Sequence, residues 1–94
     1  MGYTNSPLVV YTKLSPNHSG QRTQSIDRIT PHCVVGQLSA ESICGCFTST
    51  SRQASCNYGI GTDGRVSLCV EEKNRSWCSS SNVNDQRAVT IECA

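Results

Sequence analysis

The sequence predicts an α/β domain, on three observations. Short β-favouring runs recur along the chain, from residues 8–12 to the alternating stretch at residues 88–93. Between them Ala40, Ile43, Cys44 and Phe47 repeat at helical spacing and form one apolar stripe. Asp63-Gly64 joins two further β-favouring runs with the chemistry of a tight hairpin turn. No internal repeat or linker divides the 94 residues, so residues 1–94 are read as belonging to one domain. At this size a hydrophobic core is only marginally sufficient.

The elements follow in order. Residues 8–12, Leu-Val-Val-Tyr-Thr, read as a short strand. Residues 15–25 are dense in turn formers and lack apolar periodicity, which predicts a surface loop with His18 solvated in it. Residues 27–35 read as a strand ended by Gly36. Pro31 inside it predicts a sheet edge or a bulge, because proline donates no ladder hydrogen bond. Ser39 suits a helix N-cap and Glu41 its first turn, so a helix is expected over residues 40–48. Residues 54–62 and 65–70 form the two arms of the hairpin, with Val66, Leu68 and Val70 on one face. Residues 71–75 read as a charged, solvated connection, and Trp77 opens a Ser/Asn-rich loop running through Asp85. The chain closes on the alternating strand 88–93.

Composition narrows the function. The formal charge is +1 and no basic cluster carries interleaved aromatics, so nucleic-acid binding is not expected. Residues 7–11 are too short for a signal-peptide core and lack a basic leader, and nothing approaches transmembrane length. The expectation is a chain made in the cytoplasm, without membrane insertion, that needs another route to act elsewhere. The 7 cysteines are odd in number and mostly sit in apolar patterns, which favours reduced, core-packed thiols over a disulfide framework. No CxxC pair occurs, so a zinc knuckle is not indicated.

The stretch that carries candidate chemistry is residues 29–36, an apolar run with His32 in its middle. A strand here delivers His32 to the sheet's edge, within reach of a metal or a substrate. Such a histidine is more often a hydrogen-bonded structural residue, so the motif context decides. That context is an ordered set: Asn57-Tyr-Gly-Ile-Gly-Thr-Asp-Gly-Arg65, then Val70-Glu-Glu-Lys-Asn-Arg-Ser-Trp77, then Asn84-Asp85 and Val89-Thr-Ile-Glu92. Together with residues 29–35, it resembles the zinc-dependent N-acetylmuramoyl-L-alanine amidases, which share a fold with peptidoglycan recognition proteins. The closest look is to the endolysin-type enzymes of clostridia and their phages.

The resemblance implies a mixed β-sheet with flanking helices. It also implies an N-terminal portion of one catalytic domain, incomplete at the C-terminus, because the family draws further zinc ligands from beyond the strand of Glu92. His32 matches the family's first zinc ligand and Glu92 its catalytic glutamate. Asn84 matches an asparagine near the substrate groove, Cys78 stands where many relatives have a groove-lining histidine, and Asn57 is grouped with them as a substrate contact. Cys56 stands where some relatives have a tyrosine beside the metal. Zinc with three protein ligands keeps a position for water and lowers its pKa, and a carboxylate such as Glu92 can relay that water's proton to the leaving amine. A solvent-pointing Glu92 is nearly as compatible with the alternating strand.

The implied activity is hydrolysis of the bond between N-acetylmuramic acid and L-alanine in bacterial peptidoglycan, at the wall after release. The alternatives are a non-catalytic peptidoglycan-binding module and an inactive fragment that self-associates through an exposed edge. Trp77 and Tyr58 are read as packing residues.

Overall fold

The computed structural model describes residues 4–34 and 36–94. The predicted strand end at Val35 lies outside them. A five-stranded mixed sheet is built from β1 (Val9–Thr12), β3 (Arg28–Cys33), β4 (Tyr58–Ile60), β5 (Val66–Leu68) and β7 (Ala88–Cys93), in the order β1-β5-β4-β7-β3. Only the β4–β5 hairpin pairs antiparallel; β1–β5, β4–β7 and β3–β7 are parallel. β2 (His18–Gln21) and β6 (Asn74–Ser76) form a separate antiparallel ribbon. Two α-helices, α1 (Ala40–Gly45) and α2 (Asn82–Arg87), and a 3-10 turn (Thr50–Arg52) accompany the strands among the described residues.

Pro31 lies on β3, an edge strand, as its missing donor requires. β7 runs between β4 and β3, and its burial alternates strictly, with Ala88, Thr90 and Glu92 buried and Val89, Ile91 and Cys93 half-buried. Ser39 caps α1 by accepting from the Ser42 amide, and Ile43 and Cys44 are fully buried. The helix lies close to the sheet because residue 59 is glycine. A Cβ there would come within 2.7 Å of both Ile43 Cγ2 and Ser67 Oγ. Gly64, at φ +83°, closes the β4–β5 turn in the left-handed region that the Asp-Gly pair predicted.

Four local expectations are corrected. Residues 15–25 are not simply a solvated loop: they contain β2, and Ser15, Asn17 and Arg22 are buried. His18 is half-buried and its Nδ1 accepts from the Gly20 amide at 3.0 Å. Residues 71–75 do not merely cross solvent, since β6 begins at Asn74 and pairs with β2. The loop expected through Asp85 contains α2, capped by Ser81. Hydrogen bonding rather than apolar burial organises these segments, so no hydrophobic period marks them. Finally, Cys44 and Cys69 form a disulfide that ties α1 to the residue following β5, against the expectation of reduced core thiols. Cys33 and Cys46 are exposed rather than packed in the core.

A polar hub holds the centre. Asn57 is fully buried. Its Oδ1 accepts from Arg22 Nη2 at 3.0 Å, the Thr90 amide at 3.1 Å and Thr90 Oγ1 at 3.1 Å. Its Nδ2 donates to the Val70 and Glu71 carbonyls at 3.1 and 3.2 Å. Arg22 also donates to the Glu72, Asp85 and Gln86 carbonyls, joining β2 to α2 through the same hub. Such groups are costly to bury unless every one is satisfied.

Candidate active site

Strand register assembles the site. β3 and β7 are parallel neighbours with His32 directly opposite Glu92, so both side chains leave the same face of the sheet. His32 Nδ1 lies 3.5 Å from Glu92 Oε1. The two groups differ in exposure: the Glu92 side chain is 11% exposed on an inner strand, while His32 on the edge strand is 54% exposed. The carboxylate is thus sheltered and the imidazole is presented to solvent. The solvent-pointing alternative for Glu92 is thereby overturned.

A third group approaches from the segment before α2. Cys78 Sγ donates to Glu92 Oε1 at 3.6 Å. Asp85 positions Cys78, since its Oδ2 accepts from the Cys78 amide at 3.1 Å and its Oδ1 accepts from Ser79 Oγ at 2.7 Å. Burial, followed by the Glu92 and Asp85 carboxylates, pushes the Cys78 thiol up to about 12. Burial pushes the Cys56 thiol well above its ordinary value, reinforced by Cys78 and Glu92. Cys78 therefore acts near neutral pH as a neutral hydrogen-bond donor, not as a nucleophile.

These groups border a cavity of about 370 Å³. Leu38, Ile43, Phe47 and Ala54 supply an apolar wall, and His32, Glu92 and Cys78 the polar end. Arg52 is the cationic side chain in the lining, with its guanidinium 5.9 Å from the Phe47 ring centre. Arg52 was not singled out from the sequence, and Asp85 stood in the motif set beside Asn84 without a role of its own.

The other predicted site residues lie elsewhere. Asn84, on α2, donates to Thr30 Oγ1 at 2.9 Å and so ties the helix to β3; it does not line this cavity. Asn57 as a substrate contact is corrected, because it is fully buried and its amide is committed to the hub. Trp77 Nε1 donates to Ser19 Oγ at 2.7 Å. Tyr58 is buried, with its hydroxyl bonded to Glu72 and accepting from the Ser6 amide. Tyr58 is thus packed in the core, as expected, while the Trp77 indole is tied to β2 through an exposed hydrogen bond.

Among the described residues, no group of three His, Cys, Asp or Glu is arranged to hold a metal ion. His32 and Glu92 alone do not make the three-ligand site of a catalytic zinc.

Residues 22–94 match the family model for N-acetylmuramoyl-L-alanine amidase. The chain belongs to that family. The matched span contains both strands that carry His32 and Glu92, as well as the hairpin and both helices. It leaves out β1 and β2, which the fold nevertheless uses as a sheet edge and as half of the ribbon. No curated protein matches the chain. As a member of this family the chain is of amidase type, with peptidoglycan as the family's substrate.

Proposed function

We propose that this chain recognises the muramoyl–L-alanine junction of peptidoglycan in the cavity beside His32 and Glu92, and that Glu92 is the proton carrier for hydrolysis there. The observation that carries this reading is the sheltered carboxylate, held between an accessible imidazole and a neutral thiol at the polar end of an apolar-walled cavity. Water attacks the lactyl carbonyl carbon and Glu92 takes its proton. The carbon–nitrogen bond then breaks and Glu92 passes the proton to the departing amine of L-alanine. Cys78 steadies the carboxylate through its hydrogen bond, and the apolar wall excludes bulk water from one side.

His32 is the residue here that would bind the zinc typical of the family. Ligands completing such a site would have to come from outside the described residues. An endolysin role, with release from the cytoplasm and action at the wall, is the biological setting we infer. A muropeptide-binding module is the second reading, favoured by the incomplete ligand set among the described residues.

Digestion of purified peptidoglycan in zinc-containing buffer, followed by labelling of new amino-terminal alanine, separates the two. Hydrolysis by the chain, lowered about 10²–10⁴-fold in Glu92→Gln, supports the amidase reading. Wall binding that survives a chelator, with no new alanine termini, supports the binding module instead.

A further inference from the structure

The same register that pairs His32 with Glu92 places Cys33 directly opposite Cys93. Both are free thiols, and neither has a part in the proton chemistry above. We propose that Cys33 and Cys93 form a dithiol site that reacts with small-molecule disulfides and closes into a cross-strand disulfide.

Three observations carry this. Directly opposite residues on neighbouring strands lie about 4.8 Å apart at Cα and project to the same face, inside the range of about 4.4–6.8 Å that a disulfide requires. The ladder continues past the pair, with the Val34 amide donating to the Cys93 carbonyl at 2.9 Å and the Ala94 amide donating to the Ile60 carbonyl at 3.0 Å. The two cysteines are therefore held in register rather than free to drift. Their accessibility also differs, Cys33 being exposed on the edge strand and Cys93 half-buried on the inner one. That asymmetry separates an entry thiol from a resolving thiol.

The chemistry balances with a dialkyl disulfide as oxidant. The Cys33 sulfur attacks one sulfur of the reagent, whose S–S bond breaks. One thiol leaves, taking up the proton that Cys33 lost. The Cys93 sulfur then attacks the Cys33 sulfur of this mixed disulfide and expels the second thiol, which is protonated in turn. Two electrons pass from the protein to the reagent. Neighbouring strands lie about 4.7–4.9 Å apart, whereas a relaxed disulfide prefers Cβ atoms about 3.5–4.5 Å apart. Closure must draw β3 toward β7, which an edge strand with one unpaired side can accommodate. A bond formed under that tension is readily reduced, so the site is reversible. It lies one residue from His32 and Glu92, so closing it alters their separation.

Treating the full chain with excess 2-hydroxyethyl disulfide, then alkylating and mapping peptides by mass spectrometry, tests this. The expected result is loss of the Cys33 and Cys93 thiols together, a linked Cys33–Cys93 peptide and no retained reagent. In Cys93→Ser the mixed disulfide should persist on Cys33; in Cys33→Ser, Cys93 should remain unmodified. A trivalent arsenical that bridges paired thiols should protect both cysteines from alkylation in the native chain and neither in the variants. Stable mixed disulfide on Cys33 in the native chain would overturn the proposal. So would a link from Cys33 to Cys46 or Cys78, or unprotected thiols under the arsenical.

Discussion

Asn57 and Glu92 are both polar side chains buried against the same sheet, with Ile91 alone on β7 separating Glu92 from Thr90, the hub's partner on that strand. They are buried on opposite terms. Asn57 directs its amide at the protein, with Arg22 and Thr90 on the oxygen and main-chain carbonyls on the nitrogen. Glu92 meets one imidazole and one thiol, both at 3.5 Å or longer, and faces a cavity. A fully satisfied network specifies a fold, whereas a buried carboxylate with acceptor capacity to spare is prepared for something that arrives. Structure and chemistry are thus divided between two ends of one short parallel-strand arrangement.

The division can be broken from either side. Asn57→Ala should abolish the hub, removing one acceptor of Arg22 and the hydrogen bonds that Asn57 makes to the buried Thr90 amide and the Val70 carbonyl. At about 1–3 kcal/mol for each stranded buried group, a loss of about 2–6 kcal/mol is expected, read as a lowered urea midpoint. Glu92→Gln should leave that midpoint nearly unchanged while lowering hydrolysis about 10²–10⁴-fold. A variant that loses both, or neither, would show that the two regions are not separable.

A smaller effect is expected where the hairpin meets α1. Gly59→Ala places a methyl 2.7 Å from Ile43 Cγ2 and Ser67 Oγ, so helix and sheet must part. Overpacking of this kind costs about 1–3 kcal/mol, checked as a drop in thermal midpoint. Cavity chemistry should be disturbed too, because Ile43 is part of its wall.

The mildest test is alkaline. The Cys78 thiol is held at about 12 against an ordinary 9.0. As pH rises through that window the unfolded chain gives up the proton while the folded chain keeps it. The folded state then binds more protons, and stability falls with increasing pH. Cys56, also pushed up by burial, adds to the same decline. Cys78→Ala should make the fall of thermal midpoint with pH shallower, and an unchanged slope would remove Cys78 from the alkaline arm.

How much of this was legible follows from what each signal consists of. Strand 88–93 and the edge strand with Pro31 were readable because their pattern is apolar alternation or a missing donor. The start of α1 was readable from the Ser39 cap and its stripe, although the helix ends at Gly45 rather than Thr48. β2, β6 and α2 were not readable, because Asn17, Arg22, Asn57 and Asp85 hold them by long-range polar contacts that leave no period in the chain. In the site, His32 and Glu92 were legible as residues, but their face-to-face register depends on strands 60 residues apart in sequence, a separation read from Arg28 against Ala88. Asn57 misled for a related reason: a motif marks a position without saying whether it faces ligand or core.

The central claim is that the muramoyl peptide occupies the cavity at the His32–Glu92 pair. Titrating the isotope-labelled chain with a soluble muramoyl-L-alanyl peptide, and following amide shifts by NMR, tests it most directly. Saturable shifts are expected at His32, Ile43, Phe47, Cys78 and Glu92, with the Asn57 hub unmoved. Shifts confined to residues outside the cavity, or no saturable shift in a folded chain, would contradict it.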